Sequence, residues 1–142
     1  MRILISACLL GEPCRYDGLS RPLPDETLDR LMHEHTLIPV CPEQLGGLPT
    51  PRTPSERQGG RVVMRDGKDV TAAYQRGAQI ACALAMQTGA EAAILKARSP
   101  SCGSGRIYDG SFSGTVIPGD GVTAEVLKKS GLTVCGETEF AY

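Results

Sequence analysis

The chain has 142 residues, 41% hydrophobic and 22% charged, with 15 basic side chains against 16 acidic ones and a formal charge of −1. Length and apolar content fit one globular domain, residues 1–142, while 4% aromatics, no Trp and a balanced charge lack the footprint of a protein that binds a nucleic-acid polymer. The opening Met-Arg-Ile-Leu-Ile-Ser is too short for a signal segment and nothing later approaches a membrane span, so a cytoplasmic protein acting on a small molecule, with no membrane partner, is expected.

Residues 2–7 form an apolar run rich in Ile and Leu, suited to a buried parallel strand that stops at Cys8. Pro24 opens a helix over residues 25–33, with Leu28, Leu31 and Met32 on one face. Residues 36–40 give a second strand whose Pro39 favours an edge position or a strand end, and it runs straight into Cys41. From 42 to 60 the density of Pro, Gly, Ser and Arg predicts a long ordered loop around a site, and Asp66-Gly67 within residues 61–70 predicts a hairpin.

Asp69 or Thr71 can cap a long helix with Tyr74, Ala78, Ala81, Cys82 and Ala85 on its apolar face, stopped by Gly89. A third strand over 92–96 leads to the small-residue loop Ser99-Pro100-Ser101-Cys102-Gly103-Ser104-Gly105. Gly119-Asp120-Gly121 then starts a helix ending near Gly131, and residues 132–135 make a last strand. Strands alternating with helices predict an α/β, Rossmann-like fold with a mainly parallel sheet of about four or five strands.

Six cysteines in a chain without a secretion signal point to metal or catalysis before disulfides. Cys8, Cys41 and Cys102 each follow the carboxyl end of a predicted strand, where ligands of open parallel sheets bind. Their wide separations match neither a zinc ribbon nor a ferredoxin run. Soft thiolates select zinc, copper(I) or iron-sulfur clusters, and three of them leave a coordination position open. Cys82 reads as core, Cys14 as support for the turn before Tyr16-Asp17-Gly18 or else a spare ligand, and Cys135 as a rival fourth ligand. His33 and His35, at a helix end, stay outside the site. Glu43, two residues after Cys41, can move protons beside a bound substrate, and the hydroxyls of Ser99 and Ser101 can face the same cavity.

Six blocks run through almost the whole chain: Ser-Ala-Cys-Leu-Leu-Gly at 6–11, Cys-Arg-Tyr-Asp-Gly at 14–18, Pro-Val-Cys-Pro-Glu-Gln-Leu-Gly-Gly-Leu-Pro-Thr-Pro-Arg at 39–52, Asp-Gly-Lys-Asp-Val-Thr at 66–71, Ile-Leu-Lys-Ala-Arg-Ser-Pro-Ser-Cys-Gly at 94–103 and Gly-Asp-Gly-Val-Thr-Ala at 119–124. Together they resemble the thiouracil desulfidase family. The resemblance implies a 4Fe-4S cluster on Cys8, Cys41 and Cys102, with a fourth iron free to take sulfur from a thiolated nucleobase. It implies catalytic roles for Glu43 and Ser99, while Ser101 as a substrate donor rests on the loop residues alone. It also implies dependence on iron-sulfur assembly machinery and on some acceptor for the sulfide. Two other readings of the residues are a persulfide carrier with Cys102 exposed on its loop, and a binding module with zinc at the cysteines and an anion at the helix start 119–121.

Overall fold

The computed structural model describes residues 1–140. Its centre is a four-stranded parallel sheet of β1 (Arg2–Ser6), β2 (Thr36–Val40), β5 (Ala92–Leu95) and β8 (Thr133–Gly136), in the order β2-β1-β5-β8. The chain leaves β1 for β2 on one side and returns to β5 on the other, so the strand order switches direction at β1. Pro39 lies in the edge strand β2, opposite Ile5, where its missing N–H leaves no gap in the centre of the sheet.

The alternation of side chains along β1 builds two cores. Ile3 and Ile5 face α1 (Asp25–Glu34), packing with Leu23, Leu31 and Ile94. Leu4 faces the opposite side with Ala93 and Leu95, against Ala81 and Ala85 of α3 (Thr71–Thr88) and Ala124 and Leu127 of α4 (Val122–Lys129). The alanines of α3 let it lie close to the sheet. Val70 takes the N-cap position without a side-chain bond, just after Asp69, whose Oδ1 accepts from Thr71 N–H at 2.9 Å, and Gly89 closes the helix at φ +71°, while Thr71 Oγ1 accepts from Val62 N–H at 2.9 Å.

Three segments depart from the sequence expectations. The stretch predicted as loop contains a short helix, α2 (Pro42–Leu45), and a strand, β3 (Ser55–Gln58). The polar Ser-Glu-Arg-Gln of β3 carries no apolar alternation and becomes a strand only by pairing antiparallel with β4 (Arg61–Met64) across Gly59-Gly60. The Asp66-Gly67 turn forms, with Gly67 at φ +93°, but it returns the chain for a single bridge, Val63 to Asp69. A second hairpin, β6 (Arg106–Tyr108) with β7 (Val116–Pro118), is too short to leave a pattern in the sequence. Among the described residues no helix is long and apolar enough to cross a membrane.

Candidate active site

The register of the sheet gathers the three cysteines. β2 and β5 flank β1, so their carboxyl ends lie side by side, and Cys8, Cys41 and Cys102 follow those ends directly or by a short loop. All three line one cavity of about 770 Å³, a size typical of small-molecule sites. Glu43, Ser99, Arg52 and Cys14 line it too. All six cysteines are free thiols.

Cys41 and Glu43 are aimed by the seat of α2 on α3. A Cβ at Gly46 would stand 2.0 Å from the Ala73 carbonyl oxygen, and one at Gly77 would stand 1.9 Å from that of Pro42. Backbone therefore meets backbone, and the first turn of α2 has no freedom to shift. Glu43 then meets Arg52, whose Nε donates to Glu43 Oε2 at 2.8 Å and whose Nη2 donates to the same oxygen. Arg52 Nη2 also donates to the Cys14 carbonyl at 3.0 Å, and Nη1 to the Pro49 carbonyl and Thr50 Oγ1. The Arg52 side chain is only 3% exposed and that of Glu43 14%. Burial works against the guanidinium charge, but Glu43 beside it prevails and raises the Arg52 pKa.

Ser99 and Ser101 part ways. Ser99 Oγ accepts from the N–H of Ser101 and of Cys102, both at 3.1 Å, which fixes the loop and leaves the hydroxyl's own hydrogen to donate. Ser101 is wholly buried, does not line the cavity, and pairs its Oγ with Thr123 Oγ1 at 2.8 Å. The structure therefore does not bring Ser101 to the substrate side. The loop is clamped to α4, since Val122 N–H donates to the Pro100 carbonyl and Thr123 N–H to the Ser101 carbonyl, both at 2.8 Å. Those bonds consume the amides of the helix start that an anion would need, which corrects the anion-binding reading. Cys102 is buried at 5% exposure, which corrects the reading of its loop as presenting a carrier thiol.

Cys14, Cys41 and Cys102 keep their protons more tightly than an ordinary thiol. Burial, then the nearby Glu43, raises Cys102 to about 12, against a weaker opposing hydrogen bond from Ser6. The Cys41 hydrogen bond lowers Cys14, but Cys8 and burial outweigh it and lift Cys14 to about 11. Hydrogen bonding with Cys14 and then burial raise Cys41. Cys14, read from sequence as a turn support or a spare ligand, sits in the thiol group itself. Cys135, raised by burial and then by Glu139, lies against the Ala93 carbonyl and does not line the cavity. Cys82 is half-buried against the core under α3 and α4, 3.1 Å from Ser130 Oγ, and His35 Nδ1 meets the N-terminus at 3.3 Å.

Among the described residues no three His, Cys, Asp or Glu side chains form a group that could hold a single metal ion. A cubane cluster takes each thiolate on a different iron and spreads its ligands wider, so three soft, free thiols around one cavity fit such a group better than a lone zinc. Arg52 was missed by sequence reasoning, although it closes the same block that carries Cys41 and Glu43.

The family model for 2-thiouracil desulfurase matches residues 3–139. An uncharacterised protein, YbbK of Bacillus subtilis strain 168, is 45% identical over 147 aligned positions, covering 96% of each chain. A solved structure described as the [4Fe-4S]-dependent thiouracil desulfidase TudS superposes with a TM-score of 0.93 at 49% identity, covering 98% of this chain and 92% of its own. With the strand-end cysteines, the seated Glu43 and a match along nearly its whole length, the chain belongs to the 2-thiouracil desulfurase family.

Proposed function

We propose that this protein is a [4Fe-4S]-dependent desulfidase that converts a thiolated pyrimidine such as 2-thiouracil, with water, to uracil and hydrogen sulfide. The observation that carries it is the meeting of Cys8, Cys41 and Cys102 with Glu43 around one cavity at the carboxyl edge of the sheet. These three cysteines would hold the cluster. When bound, it supplies an iron without a protein ligand, a soft Lewis acid suited to a thiocarbonyl sulfur.

The chain's own groups supply the rest. Both Arg52 bonds end on Glu43 Oε2, so Oε1 is the oxygen that takes a proton from water as its oxygen adds to the thiocarbonyl carbon. The guanidinium fixes the plane of that carboxylate through the step. Ser99 donates a hydrogen bond to the substrate and keeps its proton. The carbon–sulfur bond then breaks, and both protons of the water leave with the sulfur as hydrogen sulfide. Among the described residues seven basic side chains line the cavity against four acidic ones, an environment that favours a guest carrying negative charge or partial charge. The expected setting is the reducing cytoplasm, where six free thiols persist.

Anaerobically reconstituted protein is expected to release equal amounts of uracil and sulfide from 2-thiouracil. Glu43→Gln should keep the visible sulfur-to-iron absorption and lose about 10²–10⁴-fold in rate, the usual worth of a positioned base. A fully loaded wild-type protein that turned over no thiopyrimidine, or a Glu43→Gln variant with unchanged rate, would overturn the reading.

A further inference from the structure

The tip of the β6–β7 hairpin, residues 109–115, carries a non-glycine residue in left-handed backbone, Phe112 at φ +57°. A bulky side chain rarely adopts that conformation without support. The support is a buried carboxylate. Glu56, on β3 and 8% exposed, accepts with one oxygen from Gly110 N–H at 2.9 Å and Phe112 N–H at 3.1 Å. Gln58 Nε2 donates to the Gly110 carbonyl at 3.0 Å. Gly110, at φ +95°, has no room for a side chain, since a Cβ would stand 2.6 Å from Gln58 Cγ. One hairpin is thereby pinned to the other at the point where Phe112 departs.

The ring held this way lines the cavity of the thiols and Glu43. The Arg65 guanidinium lies over it at 5.6 Å from the centroid, from the end of the other hairpin. Three further aromatic side chains line the cavity among the described residues, Tyr16, Tyr74 and Tyr108. Tyr74 is buried and Tyr16 lies under Arg15. Phe112 alone of the four has no hydroxyl, so it offers a flat face and an edge and nothing to donate.

We propose that Phe112 is a substrate-positioning residue, the surface on which the pyrimidine ring stacks, with Arg65 over its other face and Glu56 as the group that holds it in place. The proposal rests on the thiopyrimidine reading above. A planar heterocycle gains from stacking on a phenyl face, and the Arg65 cation over the opposite face holds that ring in place. A loop tip fixed by a buried carboxylate offers that face without having to order on binding.

The test uses the cluster-loaded enzyme with 2-thiouracil, and calorimetric binding of 2-thiouracil to the same preparations. Removal of a base-stacking aromatic typically weakens binding by about 5- to 150-fold. Phe112→Ala and Phe112→Leu are expected to raise KM and Kd by at least about 10-fold with unchanged visible absorption and melting temperature, and Phe112→Tyr or Phe112→Trp to restore both. Glu56→Ala should raise KM in the wild-type background and add little on top of Phe112→Leu. Wild-type binding by Phe112→Leu would overturn the proposal, because leucine keeps the bulk and loses only the ring face. Should wild type bind 2-thiouracil without turning it over, the desulfidase reading fails, while weakened binding by Phe112→Leu still upholds the ring's role.

Discussion

The carboxyl edge of the parallel sheet and the rim made by α2 and the two hairpins contribute to the cavity in different ways. The edge supplies the thiols: Cys8, Cys41 and Cys102 come off the adjacent strands β1, β2 and β5, and their placement follows from strand order. The rim supplies the groups that would meet a substrate: Glu43 with Arg52, Glu56 with Phe112. The rim groups are held by side-chain bonds, Glu43 by Arg52 nine residues on and Phe112 by Glu56 from the other hairpin, whereas the edge cysteines are placed by backbone, Cys41 by the seat of α2 on α3 and the Cys102 loop by its clamp to α4. A rigid parallel core thus fixes the ligand set, and short antiparallel pieces laid across its end shape what enters.

The largest effects should fall on the edge. Replacing Cys8, Cys41 or Cys102 by Ala, one at a time, is expected to abolish most of the visible cluster absorption and with it the turnover, measured by iron content and sulfide release after anaerobic reconstitution. Cys82→Ala, half-buried on α3 and outside the cavity, serves as the control and should change neither. If a strand-end variant loaded a full cluster, the division of labour between edge and rim would be wrong.

Next comes the joint between the two regions. Gly77→Ala places a methyl group 1.9 Å from the Pro42 carbonyl oxygen, and the atoms that must yield are backbone. Overpacking of this kind costs about 1–3 kcal/mol. Thermal unfolding should show the loss, and the residual folded protein should have a depressed rate because Glu43 moves with α2. A Gly77→Ala protein with wild-type melting temperature and rate would mean that α2 floats on α3 and does not aim the carboxylate.

The same division explains what could be read without the structure. β1, β2, β5, α1 and α3 announce themselves by apolar runs and helical spacing, and a cysteine after a strand end is visible from those runs alone. Glu43 was legible because it stands two residues from Cys41. Arg52 was not: a single arginine in a Pro-rich stretch acquires a partner only when the chain from Cys41 to Arg52 closes on itself. Glu56 lies in a polar tetrapeptide that becomes a strand by pairing, not by pattern. Ser99 and Ser101 flank one proline and look equivalent, yet one lines the cavity and the other turns to Thr123. That choice is made by the carbonyls that clamp the loop to α4, which no local rule encodes.

The smallest effect separates the regions by pH. Burial and then Glu43 raise the Cys102 thiol from 9.0 to about 12, and Cys14 rises to about 11, so the folded, metal-free protein binds these protons more tightly than the unfolded chain. Below pH 9 both states are protonated and the full stability is present. As pH rises the unfolded chain loses its thiol protons first, and stability drains away until the folded thiols ionise in turn. At about pH 10 the Cys102 contribution alone is a loss of about 1 kcal/mol. Melting curves of metal-free protein under reductant should therefore shift down from pH 8 to pH 10. Cys102→Ala should flatten that shift while lowering stability at every pH through the cavity it leaves. Loaded protein should flatten it as well, because a thiolate bound to metal has no proton left to lose. A metal-free protein whose melting temperature fell equally with and without Cys102 would place the alkaline weakness outside the thiol group, and the neutral, buried edge would no longer distinguish itself from the rim.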